Sequence, residues 1–276
     1  MKSKKTKIIM GTIVGLIVLA GIITWFISVQ LPHNNAVKDY KTVVSVIDTK
    51  NAELDGAINK LQDMIDANEK VIDASIIDVA KDVCKRAGSA KIVLDEMPSK
   101  TDDIIAKTKE LSTPPDYSAL LTELNDTYVA YDISIKQYKQ LTNPSEEFVI
   151  QRLKTVDEIA DVRAVTEDND PNGKLNKPGG YTATVYFESK NVNQANVYGT
   201  DLIDKGTDAG GAIEVYANEE DAIKRNDYLA TFDGGILASG SHKVVGTVLI
   251  RTSDELSASK QKALEEKIIS AIAALE

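Results

Sequence analysis

The residues of this sequence that most closely fit a known kind of chemistry lie in the run Asp-Asn-Asp-Pro-Asn-Gly, from Asp168 to Gly173. Asp168, Asp170 and Asn172 occupy its first, third and fifth positions, and glycine occupies the sixth. This pattern matches the first half of an EF-hand calcium loop, in which carboxylate and amide oxygens surround the ion. The twelfth position of that loop requires a glutamate, and here it is Gly179. We therefore predict either a calcium site or a structural tight turn, with the turn as the favoured interpretation.

A second candidate for ligand contact is the stretch 189–211, which shows no regular helix or strand pattern. Stretches of this length are uncommon in compact domains and often form binding loops. This one carries the aspartates Asp201, Asp204 and Asp208, which favour cations or basic groups, and several glycines, whose backbone amides favour anions. We therefore predict either a ligand-contacting loop, whose ligand could be cationic or anionic, or a flexible surface connection, with the surface connection as the favoured interpretation.

Signatures of catalysis in the sequence are incomplete. Ser257 and Lys260 have the S-x-x-K spacing of penicillin-interacting serine enzymes, but no companion motif follows, and Ser257 fits the cap of the last helix. The two histidines, His33 and His242, have no nucleophile or metal ligand near them in the sequence. We therefore predict no enzyme, no catalytic residue and no cofactor other than calcium. The alternative is a cell-wall enzyme, which would need aspartates of the two loops to converge with perturbed pKa values.

An N-terminal segment that can cross a membrane precedes these candidate residues. A lysine-rich start is followed by an apolar run from Ile8 to Val29, which at about 1.5 Å per residue spans roughly 33 Å. The lysines are Lys2, Lys4, Lys5 and Lys7. No small-residue cleavage site follows, so we predict a retained signal anchor over residues 1–32, with a cleaved signal peptide as the alternative. Because basic flanks stay inside, we expect a single-pass protein of the cell membrane with a cytoplasmic N-terminus and an extracellular C-terminal domain.

The charge of the chain limits its partners. A total of 42 acidic residues against 32 basic ones gives a formal net charge of −10. Without the four N-terminal lysines, 28 basic residues face 42 acidic ones, and the net charge is −14. Such a domain lacks the basic footprint of a nucleic-acid-binding protein, and it is not suited to an anionic lipid surface. Cys84 is the single cysteine, so the chain forms no internal disulfide.

Residues 33–143 carry the pattern of a helical, coiled-coil-like bundle. Mostly apolar residues recur there at alternating steps of three and four. In the first seam these residues are Val37, Tyr40, Val44, Ile47, Asn51, Leu54, Ile58, Leu61, Ile65, Asn68 and Ile72. A second seam lies between Tyr117 and Tyr138, so we predict a bundle that folds back on itself. The alternative is a parallel homodimeric stalk, in which Asn51 and Asn68 would set the register.

Residues 144–276 change to the pattern of an α+β domain. Runs of apolar and β-branched residues predict four strands. The strands are expected at 161–167, 181–188, 212–216 and 244–251. Helices are expected at 145–156, at 218–230 and near the C-terminus, where Leu264, Ile268, Ile272 and Leu275 share a face. The predicted fold class is therefore α+β, with a transmembrane helix, a helical bundle and a four-stranded, mainly antiparallel sheet against which helices pack.

Five stretches of this last domain carry a resemblance to known proteins. They are Thr166-Glu167-Asp168, Asp170-Pro171-Asn172-Gly173, Lys177-Pro178-Gly179-Gly180-Tyr181-Thr182, Glu214-Val215-Tyr216 with Glu219-Glu220-Asp221-Ala222, and Val245-Gly246-Thr247-Val248-Leu249-Ile250-Arg251. In combination, residues 145–276 resemble a C-terminal domain of lipoproteins and single-pass surface proteins of Gram-positive bacteria, some of which carry adhesin or matrix-binding labels. The resemblance implies a surface location and a modular construction, and it implies no activity.

These features together predict a membrane-anchored cell-surface protein that presents a non-catalytic binding or interaction module on a helical spacer. Besides the membrane, we expect an envelope polymer, an envelope protein, or a small ligand or cation as its partner, and no nucleic acid. The alternative is a partner-dependent envelope scaffold that acts through the helical region, where a homodimer would form.

Overall fold

A computed structural model of the protein describes residues 15–235 and 240–275, which form eight α-helices and a five-stranded sheet. The helices are α1 (Gly15–Ala67), α2 (Ser75–Ala90), α3 (Thr101–Glu110), α4 (Ser118–Gln140), α5 (Glu146–Leu153), α6 (Leu202–Lys205), α7 (Glu219–Ala230) and α8 (Ala258–Ala273). The strands are β1 (Ile159–Ala164), β2 (Tyr181–Ser189), β3 (Gly210–Tyr216), β4 (His242–Val245) and β5 (Val248–Thr252). The described residues divide into two compact units, one of 15–67 and 78–128 and the other of 68–77, 129–235 and 240–275.

Helix α1 contains the described part of the predicted membrane anchor. Its N-terminal part is long and apolar enough to cross a membrane, and none of the residues that the structure describes buries it. The exposed apolar side chains there are Leu16, Ile17, Val18, Leu19, Ile22, Ile23, Trp25, Phe26, Ile27, Val29 and Leu31. A π-helical segment, Phe26–Gln30, lies within the helix. The length and composition of this part of the helix agree with a membrane anchor or a signal sequence. The four N-terminal lysines lie outside the described residues.

The first unit consists of helices whose apolar seams are buried. The buried seam residues of α1 are Tyr40, Ile47, Leu54, Leu61 and Ile65. Part of this seam packs on Ile104 of α3 in one apolar cluster. From the second seam, Tyr117 and Leu124 are buried as well. These predicted seam residues therefore form core contacts within the chain, because an amphipathic helix gains most of its stability by burying its apolar stripe.

The two asparagines of the first seam differ in their roles. The side chain of Asn51 donates to the backbone oxygen of Ile92 and accepts from the Tyr117 hydroxyl, each across 2.8 Å, so its amide is satisfied inside the unit. Asn68 is not a helical seam residue, because α1 ends at Ala67 and Asn68 has a φ of +49°. The prediction of an uninterrupted seam through Asn68 is therefore wrong. Asparagine tolerates the left-handed conformation that ends many helices, and this tolerance explains the break.

The second unit is built on an antiparallel sheet with the strand order β1-β2-β3-β5-β4. The α+β class is confirmed, but the prediction of four strands is wrong, because residues 244–251 form a hairpin instead of one strand. Val245 pairs with Val248, which leaves Gly246 and Thr247 as a two-residue turn. Gly246 has a φ of +61°, and a glycine in this conformation at the first turn position is typical of a type II′ hairpin.

Helices cover both faces of this sheet. The face toward α5 and α8 carries a core of Val149, Leu153, Ala183, Val185, Phe187, Ile213, Val215, Val248, Ile250, Leu264, Ile268 and Ile272. The face toward α6 and α7 carries Tyr181, Tyr186, Leu202, Ala212, Tyr216, Ala222, Leu229 and Leu249. Leu275, expected on the buried face of the last helix, lies beyond the end of α8 at Ala273 and is 38 % exposed. The sheet is therefore a central layer, and its α7 face is the one richer in tyrosine.

Candidate functional site

A glutamate is buried in the middle of the sheet, on the face covered by α7. Glu214 lies on β3 opposite Thr184 of β2 and Leu249 of β5, and only 1 % of it is exposed. A buried carboxylate is costly unless cations and hydrogen-bond donors surround it. The fold can therefore hold Glu214 here only together with its partners.

Three residues surround the Glu214 carboxylate. Arg251 of β5 donates to Oε1 across 3.0 Å, Arg225 of α7 donates to Oε2 across 3.2 Å, and the Tyr216 hydroxyl donates to Oε2 across 2.6 Å. Burial raises the pKa of Tyr216, and the charge and hydrogen bond of Glu214 raise it further. Burial acts to lower the pKa of Arg225, but the charge of Glu214 and its hydrogen bond outweigh this effect, so the pKa is raised. One carboxylate is thus shared by two guanidinium groups.

Helix α7 brings a row of side chains to the edge of this network. Asn218 caps its start, because Oδ1 of Asn218 accepts the backbone N–H of Asp221 across 2.9 Å. Asp221, Lys224, Arg225 and Tyr228 then occupy positions i, i+3, i+4 and i+7, which lie on one face of a helix. The Tyr228 ring is 54 % exposed, and its centroid lies 5.5 Å from the Arg225 guanidinium. The local sequence of α7 therefore presents two cations, one carboxylate and one aromatic ring together.

The loop between β1 and β2 is held by Asp170, which accepts four hydrogen bonds. The donors are the backbone N–H groups of Asn172, Lys174 and Leu175, at 3.0, 2.6 and 2.8 Å, and the Tyr181 hydroxyl. Burial acts to raise the pKa of Asp170, but these hydrogen bonds lower it more, so the pKa lies below its usual value. Burial and the bond to Asp170 raise the pKa of Tyr181. Asp170 therefore fixes the backbone on both sides of Gly173.

A cleft of about 490 Å³ opens between this loop, α7, the start of β2 and the end of β3. Its lining includes Lys174, Tyr181, Tyr216, Lys224, Arg225 and Tyr228. Lys224 also lies 2.8 Å from Glu220 and 3.8 Å from Asp221. These ion pairs are exposed, and such pairs hold a side chain only weakly. A concave surface with an aromatic wall and a few convergent polar groups is the usual form of a small-ligand site.

The predicted calcium ligands have other roles in this loop. Asp168 and Asn172 are exposed, and the Asp170 carboxylate is occupied by the four hydrogen bonds of the turn. Across residues 15–235 and 240–275, no group of three or more His, Cys, Asp or Glu side chains could hold a metal ion. The geometry accounts for Asp170 as the organiser of a turn. Calcium binding stays a prediction.

The stretch 189–211 is more regular than predicted. It contains α6 and a 3-10 helix, Gly206–Ala209. Asp201 caps α6 by accepting the backbone N–H groups of Ile203 and Asp204, across 2.9 and 3.0 Å. The prediction that this whole stretch lacks regular structure is therefore wrong. It contains two short helical segments between its glycines, and the sequence pattern did not indicate them.

The other two aspartates of this stretch, Asp204 and Asp208, interact with neighbouring residues. The Asp204 carboxylate accepts the backbone N–H of Thr200 across 2.8 Å. Partial burial, and next the negative charge of Asp254, raise the pKa of Asp208, and Arg251 lowers it by a smaller amount. The three predicted loop aspartates lie outside the lining of the cleft. Ligand contact by this stretch stays a prediction.

Ser257 and His242, which were considered as catalytic residues, make polar contacts with neighbouring side chains. Ser257 stands at the N-cap position of α8, but its side chain lies 3.3 Å from the Ser259 hydroxyl and does not cap the helix. His242 lies 2.8 Å from the side-chain oxygen of Asn226 through Nδ1 and 3.3 Å from a carboxylate oxygen of Asp233 through Nε2. These contacts link β4 to the end of α7. The absence of enzyme activity stays a prediction.

The sequence did not predict the cleft or the network below it. The available signal was a charge inside an apolar strand, since Glu214 interrupts the otherwise uncharged run from Ala212 to Tyr216. A charged residue at such a position must find partners when the strand is buried. The partners come from β5 and α7, and no local pattern in the chain indicates that those elements meet at this point.

Comparisons with known proteins add no family to these observations. No protein-family model, no curated protein and no solved structure matches the chain. The resemblance of the five stretches to Gram-positive surface proteins stays an expectation. The geometry of the cleft is therefore the main support for a functional proposal.

Proposed function

We propose that the protein is a membrane-anchored surface protein whose α+β unit binds an envelope ligand in the cleft beside Glu214, without catalysis. The observation that carries this proposal is the cleft itself. It is lined by α7 and by a loop that Asp170 holds in place, so the loop backbone and the Arg225 guanidinium are positioned before any ligand arrives. A site that is already positioned binds more tightly, because less conformational freedom is lost on binding.

The apolar part of α1 supports the anchoring. The apolar side chains of this segment are exposed among the described residues, and the hydrocarbon core of a bilayer would cover them. The four lysines that precede the apolar run support an N-terminus in the cytoplasm and an α+β unit outside the cell, because basic flanks of a membrane span stay inside. In this arrangement the first unit acts as a spacer between the membrane and the binding module.

The support for binding rather than catalysis comes from the state of the carboxylates near the cleft. Glu214 is buried and bonded to Arg225 and Arg251, and Asp170 is occupied by the donors of its own loop. A general base or nucleophile needs to reach the reacting atom directly or through one water. Glu214 and Asp170 instead hold protein groups in position. Asp221, the carboxylate that lines the cleft, accepts a hydrogen bond from the side-chain amide of Asn218 across 2.8 Å. The scaffold alternative loses part of its support, because Asn51 is satisfied within its own unit.

Thermal unfolding of the full chain in non-ionic detergent tests the proposal. Solubilised fragments of a Gram-positive envelope should raise the Tm, because a ligand of the folded state stabilises it. Tyr228→Ala removes part of the cleft wall and should reduce the shift. Tyr198→Ala is the matched control, because this ring is 94 % exposed and lies outside the cleft lining. An unchanged Tm with every fragment, or equal shifts in both variants, would contradict the proposal.

A further inference from the structure

The charges at the cleft are opposite in sign to those of the chain as a whole. The chain carries 42 acidic and 32 basic residues. The charged residues that line the cleft are three cations, Lys174, Lys224 and Arg225, and one carboxylate, Asp221. The cations come from two separate elements, the β1–β2 loop and α7, so one helical turn does not explain their meeting. The cleft is therefore a cationic position on an acidic protein.

The nearest buried carboxylate does not cancel this charge at the ligand surface. Glu214 is 1 % exposed, so it cannot touch a ligand in the cleft. It is bonded to Arg251 as well as to Arg225, and the positive charge of Arg225 is therefore not the sole counter-charge of Glu214. The bonds to Glu214 use Nε and Nη2 of Arg225. The guanidinium is held rigidly, and its side chain keeps 23 % exposure.

The two lysines are accessible and are held in different ways. Lys174 is exposed, and its backbone is fixed by the hydrogen bond from its N–H to Asp170. Lys224 is exposed and pairs with Glu220, whose side chain is 78 % exposed. An exposed ion pair of this kind contributes little, so a ligand with a stronger negative group can replace Glu220 at small cost.

We propose that the cleft binds an oxyanion, a phosphate or carboxylate group carried by the ligand, between Lys174 and Lys224 and above Arg225. Lysine and arginine form charge-assisted hydrogen bonds with such groups. The half-exposed ring of Tyr228 then contacts the part of the ligand that carries the oxyanion. This inference rests on the proposed function, because it names the chemistry that the same cleft recognises.

The negative charge of the whole protein does not prevent such binding. At physiological ionic strength, exposed charges separated by more than about 8 Å are largely screened, whereas contacts inside a partly buried cleft are screened much less. Binding through these cations should weaken as salt is added. It should also be confined to ligands small or flexible enough to reach the cleft, since the surrounding acidic surface repels a broad polyanion.

Isothermal titration calorimetry on the full chain in non-ionic detergent tests the inference. The probes are inorganic phosphate, poly(glycerol phosphate), polygalacturonate and, as a neutral polymer, dextran. We expect one or both anionic polymers to bind and dextran not to bind. The two polymers separate the sources of the oxyanion, because one carries phosphodiesters and the other carries carboxylates.

A pair of double variants provides the decisive comparison. Lys174→Gln with Lys224→Gln should weaken binding by about tenfold or more, the loss expected when two charge-assisted contacts disappear. Lys177→Gln with Lys262→Gln makes the same change in net charge outside the cleft lining, and it should alter the Kd by less than roughly twofold. All four lysines are exposed, so both variants should fold.

The outcomes separate this inference from the proposed function. Equal weakening in both double variants, or binding of dextran with no binding of the anions, would overturn the oxyanion inference. A Tm shift with envelope fragments that needs Tyr228, without binding of any anionic probe, would leave the proposed function in place and reject the oxyanion. If envelope fragments do not shift the Tm and no anionic probe binds, both the proposed function and the oxyanion inference are rejected.

Discussion

Arg225 on α7 donates to the carboxylate of Glu214 on β3 across 3.2 Å, and this bond joins a helix to the centre of the sheet. Arg251 of β5 approaches the same carboxylate at 3.0 Å. The relationship sets the position of α7 over the sheet, and with it the position of the cleft. It also makes Glu214 the residue on which two buried or half-buried cations depend.

We predict that Glu214→Gln destabilises the α+β unit by about 3 kcal/mol, because it removes the buried carboxylate charge to which the guanidinium groups of Arg225 and Arg251 both donate. Urea unfolding followed by circular dichroism measures this loss. Glu266→Gln, at an exposed position of α8, is the control and should change stability by less than about 0.5 kcal/mol. Equal effects of the two substitutions would show that the network around Glu214 adds nothing to stability.

The pH dependence of stability should reveal the role of Asp170. Its pKa is lowered in the folded state, so its contribution is fully present above the unfolded pKa of about 3.9 and is lost as the pH falls through the folded pKa. We predict that Asp170→Asn costs about 1–3 kcal/mol near neutral pH, and that the cost shrinks in acid below about pH 4. The free energy of unfolding, measured against pH for the unsubstituted protein and for Asp170→Asn from neutral pH into acid, tests this prediction. Asp168→Asn, at an exposed position of the same loop, is the control and should change stability near neutral pH by less than about 0.5 kcal/mol.

Calcium should have little effect on the same loop. An ion at Asp170 would have to displace the N–H groups of Lys174 and Leu175 and the Tyr181 hydroxyl from the carboxylate. We therefore expect equal Tm values of the full chain in calcium and in EDTA. A calcium-dependent rise in Tm that Asp170→Ala abolishes would instead establish the calcium site that the spacing of Asp168, Asp170 and Asn172 suggested.

Two glycine substitutions should act in opposite directions. At Gly211, a Cβ atom would lie 2.2 Å from the backbone oxygen of Arg251 and 2.3 Å from Cζ of Phe187, so Gly211→Ala should cost about 3 kcal/mol. At Gly88, within α2, a Cβ atom would have no atom within 4 Å apart from those of its chain neighbours and of the helix's own backbone. Gly88→Ala should therefore stabilise the protein by roughly 0.5–1 kcal/mol. Urea unfolding measures both changes, and a neutral Gly211→Ala would contradict the close approach of β3 and β5.

The hydrogen bond between Asn51 and Tyr117 should appear as an energetic coupling within one chain. A double-mutant cycle of Asn51→Ala and Tyr117→Phe should give an interaction energy of about 1 kcal/mol. The coupling should be the same at low and high protein concentration. If the seam were instead an interface between two copies, the stability and its dependence on Asn51 would change with concentration.

Local patterns predicted much of the fold. The helix at 218–230 and the strand at 181–188 were found within a few residues of their bounds, because their apolar periods and caps depend on neighbours in the chain. Two of the errors lie where one residue changes the backbone direction. Asn68 ends α1 and Gly246 splits a strand, and both do so through a left-handed conformation that an apolar period does not reveal.

The sequence by itself determined an apolar helix long enough for a membrane, the order of the longer helices and of most strands, and the acidic character of the chain, because each of these depends on composition or on residues close together. It also identified Asp170 as part of either a calcium site or a structural tight turn, and it favoured the turn. Only the tertiary structure decided that Glu214 meets Arg225 and Arg251, and that Lys174 shares a cleft with α7. These groups meet through strand pairing and helix packing over long separations in the chain, and no local pattern encodes such contacts.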